Sequence, residues 1–274
     1  MSNKRKISKS KDFSESFKSY KESSSKSCNS NSILGINFSD NPEQKELIRL
    51  MNQNDIPIIF CLGDAGTGKT FTAVAAAINL VRIQKKYSKI FYIREPLEVG
   101  KSLGFLPGDI DDKYGVYLDG LEDNIEHISK FSGISRNDMR ECIECVPPQY
   151  TRGRSWENCI ILVDECENLS LDTIQTLSTR IGKYCKMVFL GSMNQIDIRG
   201  KTKDSNDLIL AMNIFDSIVP TISAKVKLIK SERSECCHII DEAFSKYKEN
   251  KSNKNISTIE VVPTITDIAR KVLQ

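Results

Sequence analysis

The sequence predicts an α/β fold, a mostly parallel sheet flanked by helices, on three observations. Short β-branched runs alternate with stretches whose apolar residues recur at helical spacing. One of these runs, Ile56–Leu62, passes directly into a glycine-rich loop with an alanine-rich helix behind it. Another, Ile160–Val163, ends in two adjacent carboxylates, Asp164 and Glu165, and strand carboxyl ends are where such sheets gather their ligand groups.

Taken in order, residues 1–40 read as a disordered tail rich in serine and lysine, a composition that buries too little apolar surface to fold. Its lysines could attract nucleic-acid phosphates or simply keep it solvated. The α/β domain occupies residues 41–248. Its strands are expected at Ile56–Leu62, Ile90–Ile93, Ile143–Val146, Ile160–Val163, Met187–Leu190 and Val226–Ile229. Helical spacing marks Lys69–Gln84, Val116–Lys130, Leu171–Ile181, Asp207–Phe215 and Ser234–Tyr247. A polar linker and a short C-terminal helix opened by Pro263 fill residues 249–274.

Bulk properties narrow the class only slightly. A net charge of +3 is too small to mark a nucleic-acid binder, so any basic surface must be argued locally. Nine cysteines in a long chain are an odd number and read as reduced thiols, which points to the cytoplasm. Cys142 and Cys145 have metal-ligand spacing but no second pair at the right distance for a zinc site. No apolar run approaches the ~20 residues of a membrane span.

The loop Gly63-Asp64-Ala65-Gly66-Thr67-Gly68-Lys69-Thr70 is a phosphate cradle. Glycines let backbone N–H groups wrap the phosphates, and the following helix adds the positive end of its dipole. Lys69 is expected to reach the β- and γ-phosphates of ATP, and Thr70 to offer its hydroxyl to Mg²⁺. Phe71, next along, is grouped with the nucleotide-binding residues. Asp164 is expected to hold Mg²⁺ through water, and Glu165 to polarise the attacking water.

Six further residues are candidates for the rest of the site. Met187–Leu190 should lie beside the first strand and bring Asn194 or Gln195 to the γ-phosphate, where Gln195 would orient the lytic water. Charge on the transferring phosphoryl group calls for an arginine, and Arg233 is the first choice. Arg152 and Arg154, in Thr151-Arg152-Gly153-Arg154, are the alternatives as a finger from a neighbouring subunit, or as grips on nucleic acid. Gln44 stands far enough before the first strand to fold back over an adenine.

Together these residues resemble the PhoH-family ATPases, relatives of superfamily 1 helicases with a single RecA-like P-loop NTPase core. The resemblance also rests on Arg94-Glu95-Pro96, Gly104-Phe105-Leu106-Pro107-Gly108-Asp109, Tyr150 to Arg154, Asp164-Glu165-Cys166-Glu167-Asn168, Thr179 to Gly182, and Gln195-Ile196-Asp197. The stretch around Gly104–Asp109 discriminates best, because phosphate loops occur in many unrelated NTPases. The resemblance implies ATP binding, Mg²⁺-dependent hydrolysis and an RNA-linked, helicase-like role, and it adds weight to Gln44 and Arg233. The sequence departs from the family pattern at Gly191-Ser192, where Gly-Asp is usual, and at Arg94-Glu95-Pro96, where Arg-Pro is usual.

Only about eighty residues follow Gln195, and they are needed to finish the first sheet. A motor of this size is therefore expected to be a ring-shaped homo-oligomer, such as a hexamer, whose neighbouring subunit supplies the arginine. It would act on RNA or single-stranded DNA. The alternative is an ATP-dependent oligomeric switch that holds a partner without translocation. A small-molecule kinase is the weakest of the three readings, because Glu165 suits water activation.

Overall fold

The computed structural model describes residues 32–96, 118–151, 153–192, 207–218 and 220–232, with 234, 236, 239, 240 and 243. It begins with a hairpin, β1 (Ser32–Ile33) and β2 (Ile36–Asn37), inside the stretch expected to be a tail. Its turn residues Leu34 and Gly35 both have positive φ. A Cβ at Gly35 would stand 2.4 Å from the carbonyl oxygen of Phe131, so only glycine lets the hairpin seat there.

Helix α1 (Pro42–Asn52) follows. Its N-cap Asn41 accepts a 3.1 Å bond from the Gln44 N–H, and Pro42 opens its first turn. Its far end is held by two lysines. Lys186, 1% exposed, donates to the carbonyls of Leu50 (3.0 Å), Gln53 (2.5 Å) and Ile56 (2.6 Å). Lys86 donates to the carbonyl of Asn52 at 2.5 Å. These ammonium groups satisfy carbonyls that a helix end leaves without intrahelical donors.

All six expected strands are present: β3 (Ile58–Gly63), β4 (Lys89–Arg94), β5 (Ile143–Cys145), β6 (Cys159–Asp164), β7 (Lys186–Gly191) and β8 (Ser223–Leu228). They form one parallel sheet in the order β5-β4-β6-β7-β3-β8. The strand carrying the glycine loop therefore lies beside β7, and β6 stands one strand further on. Alternate residues face opposite layers. Ile59, Cys61, Tyr92, Leu162, Val188 and Leu190 pack with α1, α2 (Lys69–Ile78) and α3 (Asp119–Ser132). Phe60, Ile93, Ile161, Val163 and Phe189 pack on the other face with Trp156, α5 (Leu171–Ser178) and α6 (Asp207–Ile218). Both layers are buried, which is why the strands read as continuous apolar runs.

Three differences from expectation are local. The helix expected over Lys69–Gln84 is α-helical to Ile78 and continues as a π-helix over Asn79–Ile83, where the Gln84 N–H bonds the Asn79 carbonyl at 2.9 Å. No proline or glycine marks that change, so periodicity alone does not reveal it. Helix α1 and the short α4 (Arg136–Glu141), capped by Ser135, are additional elements. The expected helix Ser234–Tyr247 and the segment from 249 onward fall largely or wholly outside the described residues. Chain contacts divide the protein into Met1–Lys230 and Ser231–Gln274. Among the described residues no helix is long and apolar enough to cross a membrane.

Candidate functional site

The loop after β3 is shaped by what its glycines exclude. A Cβ at Gly63 would lie 2.7 Å from the Leu228 carbonyl oxygen and 2.7 Å from Thr67 Oγ1. Gly66 and Gly68 have φ of 81° and 78°, a region that L side chains rarely adopt. Thr67 Oγ1 closes the turn by donating to the Asp64 carbonyl at 2.9 Å, and α2 begins at once. Its first turn leaves backbone N–H groups directed at the loop, the arrangement that binds phosphate. The Lys69 ammonium folds back over this loop, donating to the carbonyls of Gly63 (2.7 Å) and Asp64 (2.9 Å).

The carboxyl end of β6 meets the start of α2. Asp164, 7% exposed, accepts a 3.0 Å bond from Thr70 Oγ1, although the two residues are 94 positions apart. The same oxygen, Oδ1, accepts from the Glu165 N–H at 3.1 Å, and Oδ2 accepts from the Tyr92 hydroxyl at 2.5 Å. Burial, and then the Asp164 carboxylate, hold the Tyr92 phenol well above its ordinary range, so it remains a donor.

Glu165 leaves the strand direction with φ 50° and ψ 41°, a left-handed conformation that costs a non-glycine residue about 1–2 kcal/mol. Arg94 Nη2 lies 2.5 Å from its Oε1. Tyr92 and Arg94 are alternate residues of β4 and therefore share a face. That strand thus contacts both carboxylates of the Asp-Glu pair.

Glu167, two residues beyond, is 2% exposed. Its carboxyl is pushed up to about 7, foremost by burial, with Asp164 and Glu165 adding to the rise and the backbone N–H groups of Glu167 and Ser192 opposing it. The end of β7 packs tightly against this turn, since a Cβ at Gly191 would stand 2.7 Å from Cys166 Sγ and 3.0 Å from Glu167 Oε2. Sequence reasoning misses Tyr92 and Glu167. Their signal is faint: a tyrosine two positions before an arginine in a buried strand, and a third acid in a short acidic run.

Gln44 is brought to the loop. It is 6% exposed, and its Nε2 donates to the Thr67 carbonyl at 3.1 Å. Phe71 turns into the core between Phe38 (ring centroids 6.4 Å apart) and His127 (6.2 Å). Arg154 is not gathered with the loop. It pairs with Glu144 of the edge strand β5 at 2.6 Å, and Lys89 holds the same carboxylate at 2.5 Å. Arg152, Asn194, Gln195, Arg233 and the stretch Gly104–Asp109 lie outside the described residues.

Among the described residues, no three His, Cys, Asp or Glu side chains converge into a metal cage. The site offers a cation one hydroxyl and one carboxylate, Thr70 and Asp164. That small protein share suits Mg²⁺, which keeps several waters and takes the rest of its shell from substrate phosphates. A cavity of about 890 Å³ lies at the opposite ends of the strands, lined by residues such as Arg82, Tyr87, Asp138 and Asn158. None of the loop or carboxylate residues borders it.

Comparison with known proteins identifies the family. The family model for PhoH-like protein matches residues 38–245. Protein PhoH2 of Bacillus subtilis (strain 168) is 33% identical over 198 residues, covering 71% of this chain and 44% of that protein. A PhoH-like protein of Mycobacterium tuberculosis (strain ATCC 25618 / H37Rv) is 31% identical over 212 residues, covering 77% of this chain and 59% of its own. Among solved structures, the Pif1 helicase from Candida albicans matches at 14% identity with a TM-score of 0.39, over 81% of this chain and 50% of that one. The chain spans about half the length of the curated relatives it matches. With its glycine-rich loop joined to the Asp164 end of β6 across a parallel sheet, the chain has a P-loop NTPase fold and belongs to the PhoH-like protein family.

Proposed function

We propose that this protein is a Mg²⁺-dependent ATPase that acts on RNA or single-stranded DNA as a helicase-like homo-oligomeric motor. The observation that carries the hydrolytic part is the 3.0 Å contact between Thr70 and Asp164, with Glu165 next in the chain. A loop hydroxyl, a strand-end carboxylate and a second carboxylate at one point are the groups phosphoryl transfer to water requires. Lys69 binds the β- and γ-phosphates, and Thr70 and Asp164 are the residues that would hold Mg²⁺, which when bound would supply charge neutralisation at the phosphate oxygens. Glu165 takes the proton of the attacking water. Gln44, fixed against the loop, reads the adenine.

The motor part rests on the resemblance to the family. It assigns Gln195 to orienting the water, Arg233 or Arg152 to the finger from a neighbouring subunit, and the cytoplasm as the place of action. Two experiments test the reading. ATP hydrolysis is measured with and without single-stranded RNA at low and high salt, where stimulation that fades with salt marks phosphate contacts. Native mass is measured with ATP and Mg²⁺. A strict monomer hydrolysing at full rate, indifferent to nucleic acid, ends the motor reading. Glu165→Gln should retain ATP and stop hydrolysis, and an unaffected rate would show that another group is the base.

A further inference from the structure

Arg94 belongs to a motif that the hydrolytic reading leaves without a task. It is the last residue of β4, paired in register with Asp164, and its Nη2 sits 2.5 Å from Glu165 Oε1. In a strand, consecutive side chains point to opposite faces, so Glu165 would ordinarily turn away from the face that carries Asp164. The left-handed backbone at Glu165 reverses this and brings its carboxylate to Arg94. Tyr92, two residues earlier on the same face, meets Asp164. One strand therefore presents two donors at a period of two to two consecutive carboxylates, and the unusual backbone makes the second contact reachable.

We infer that Arg94 is a positioning residue for hydrolysis: by holding Oε1 it fixes the orientation of the Glu165 carboxylate. This deepens the ATPase reading and rests on Glu165 being its base. A planar guanidinium restricts a carboxylate's rotation more than a flexible ammonium does, because its N–H groups lie in a rigid fork. A base held by a third group is the logic by which nucleophile-activating residues are oriented elsewhere. The Arg94 side chain is mostly buried, 22% exposed.

The test compares wild type with Arg94→Gln, Arg94→Lys, Glu165→Gln and the double variant Arg94→Gln/Glu165→Gln, by steady-state and single-turnover ATP hydrolysis. Binding of a fluorescent ATP analogue reports folding and site integrity. Orientation lost at the base should lower kcat on the order of 10- to 100-fold in Arg94→Gln, part of the general-base contribution, with KM for ATP nearly unchanged. Arg94→Lys should recover part of the rate. Because Arg94 acts through Glu165, the double variant should be no slower than Glu165→Gln alone.

An Arg94→Gln rate equal to or above wild type overturns the inference while leaving the base assignment intact. So does a double variant slowed by the product of the two single effects, or a loss of analogue binding in Arg94→Gln that Arg94→Lys does not restore. A fully active Glu165→Gln instead defeats the ATPase reading's choice of base, and the inference falls with it.

Discussion

The Tyr92 hydroxyl donates to Asp164 at 2.5 Å and so ties strand β4 to the carboxylate that holds the phosphate loop's threonine. Thr70 and the Glu165 N–H occupy Oδ1, so Tyr92 is the donor to Oδ2. Both side chains are buried, Tyr92 at 1% exposure. Removing the hydroxyl leaves a buried carboxylate oxygen short of a donor, and a hydrogen bond to a charged group contributes about 1.5–3 kcal/mol. Tyr92→Phe should lower unfolding stability by about that amount in urea titration. It should also raise the Mg²⁺ concentration needed for half-maximal hydrolysis, since Asp164 would be free to reorient. Unchanged stability and Mg²⁺ dependence would show that the bond is incidental.

Glu167 provides a pH signature with a definite sign. Its folded pKa, about 7, lies above the ordinary 4.5, because burial disfavours the carboxylate. Between these values the folded protein binds more protons at this position than the unfolded chain does. The contribution is therefore fully present below about 4.5 and is lost as pH rises through about 7. Urea unfolding of wild type and Glu167→Gln across that window should show wild type losing stability relative to the variant, by about 1.4 kcal/mol for each pH step of one between the two values. Parallel pH profiles would mean that the carboxyl is not held in its neutral form.

Much of this is legible in the sequence, for reasons the fold makes concrete. The six strands are readable because both faces of the sheet are covered, which forces runs such as Ile58–Leu62 and Ile160–Val163 to be apolar throughout. The phosphate loop is readable because its glycines are required at fixed offsets by close approach and positive φ. Asp164 and Glu165 follow from strand polarity. The contacts of Tyr92 and Arg94 are not readable, because they depend on which strand lies beside β6, and only the order β5-β4-β6-β7-β3-β8 supplies that. Helix α1 escapes sequence reasoning despite a visible start at Asn41-Pro42, because its far end carries no glycine stop. Lys186, 133 residues from Gln53 in the chain, does that work.

Lys186 leads to the opposite pH signature. Burial lowers its pKa to about 7 from 10.5, with nearby Lys86 adding to the depression. From about 7 to 10.5 the unfolded chain binds more protons here, so stability rises with pH in that window and is lost as pH falls through about 7. Lys186→Met removes this dependence and also strips from the carbonyls of Leu50, Gln53 and Ile56 an amino group that above about pH 7 still carries two N–H donors. The variant should be less stable than wild type at about pH 8 by at least about 1–3 kcal/mol, the cost of one buried unsatisfied group, and the gap should widen toward about pH 10. Chemical denaturation at several pH values checks both points. A gap that narrows with rising pH would show that the ammonium is not destabilised by its surroundings.

Gly68 joins the phosphate loop to the residue expected to read the base. Its φ is 78°, and a Cβ there would stand 2.6 Å from Gln44 Nε2, the atom that donates to the Thr67 carbonyl at 3.1 Å. Gly68→Ala therefore meets two obstacles. The left-handed backbone costs a residue with a Cβ about 1–2 kcal/mol, and the methyl group must displace the Gln44 amide. Because Gln44 ends a flexible side chain, the protein should fold, but with the amide moved off the loop. Affinity for an ATP analogue should then drop more than tenfold, a loss exceeding about 1.4 kcal/mol, while Gln44→Ala alone weakens binding less. Placing Gln44→Ala in the Gly68→Ala background separates the two obstacles. If displacement of Gln44 dominates, the double variant should bind no worse than Gly68→Ala, and if backbone strain dominates, the two losses should add. Gly68→Ala binding at wild-type strength would mean that neither the φ of this glycine nor its contact with Gln44 matters to the nucleotide.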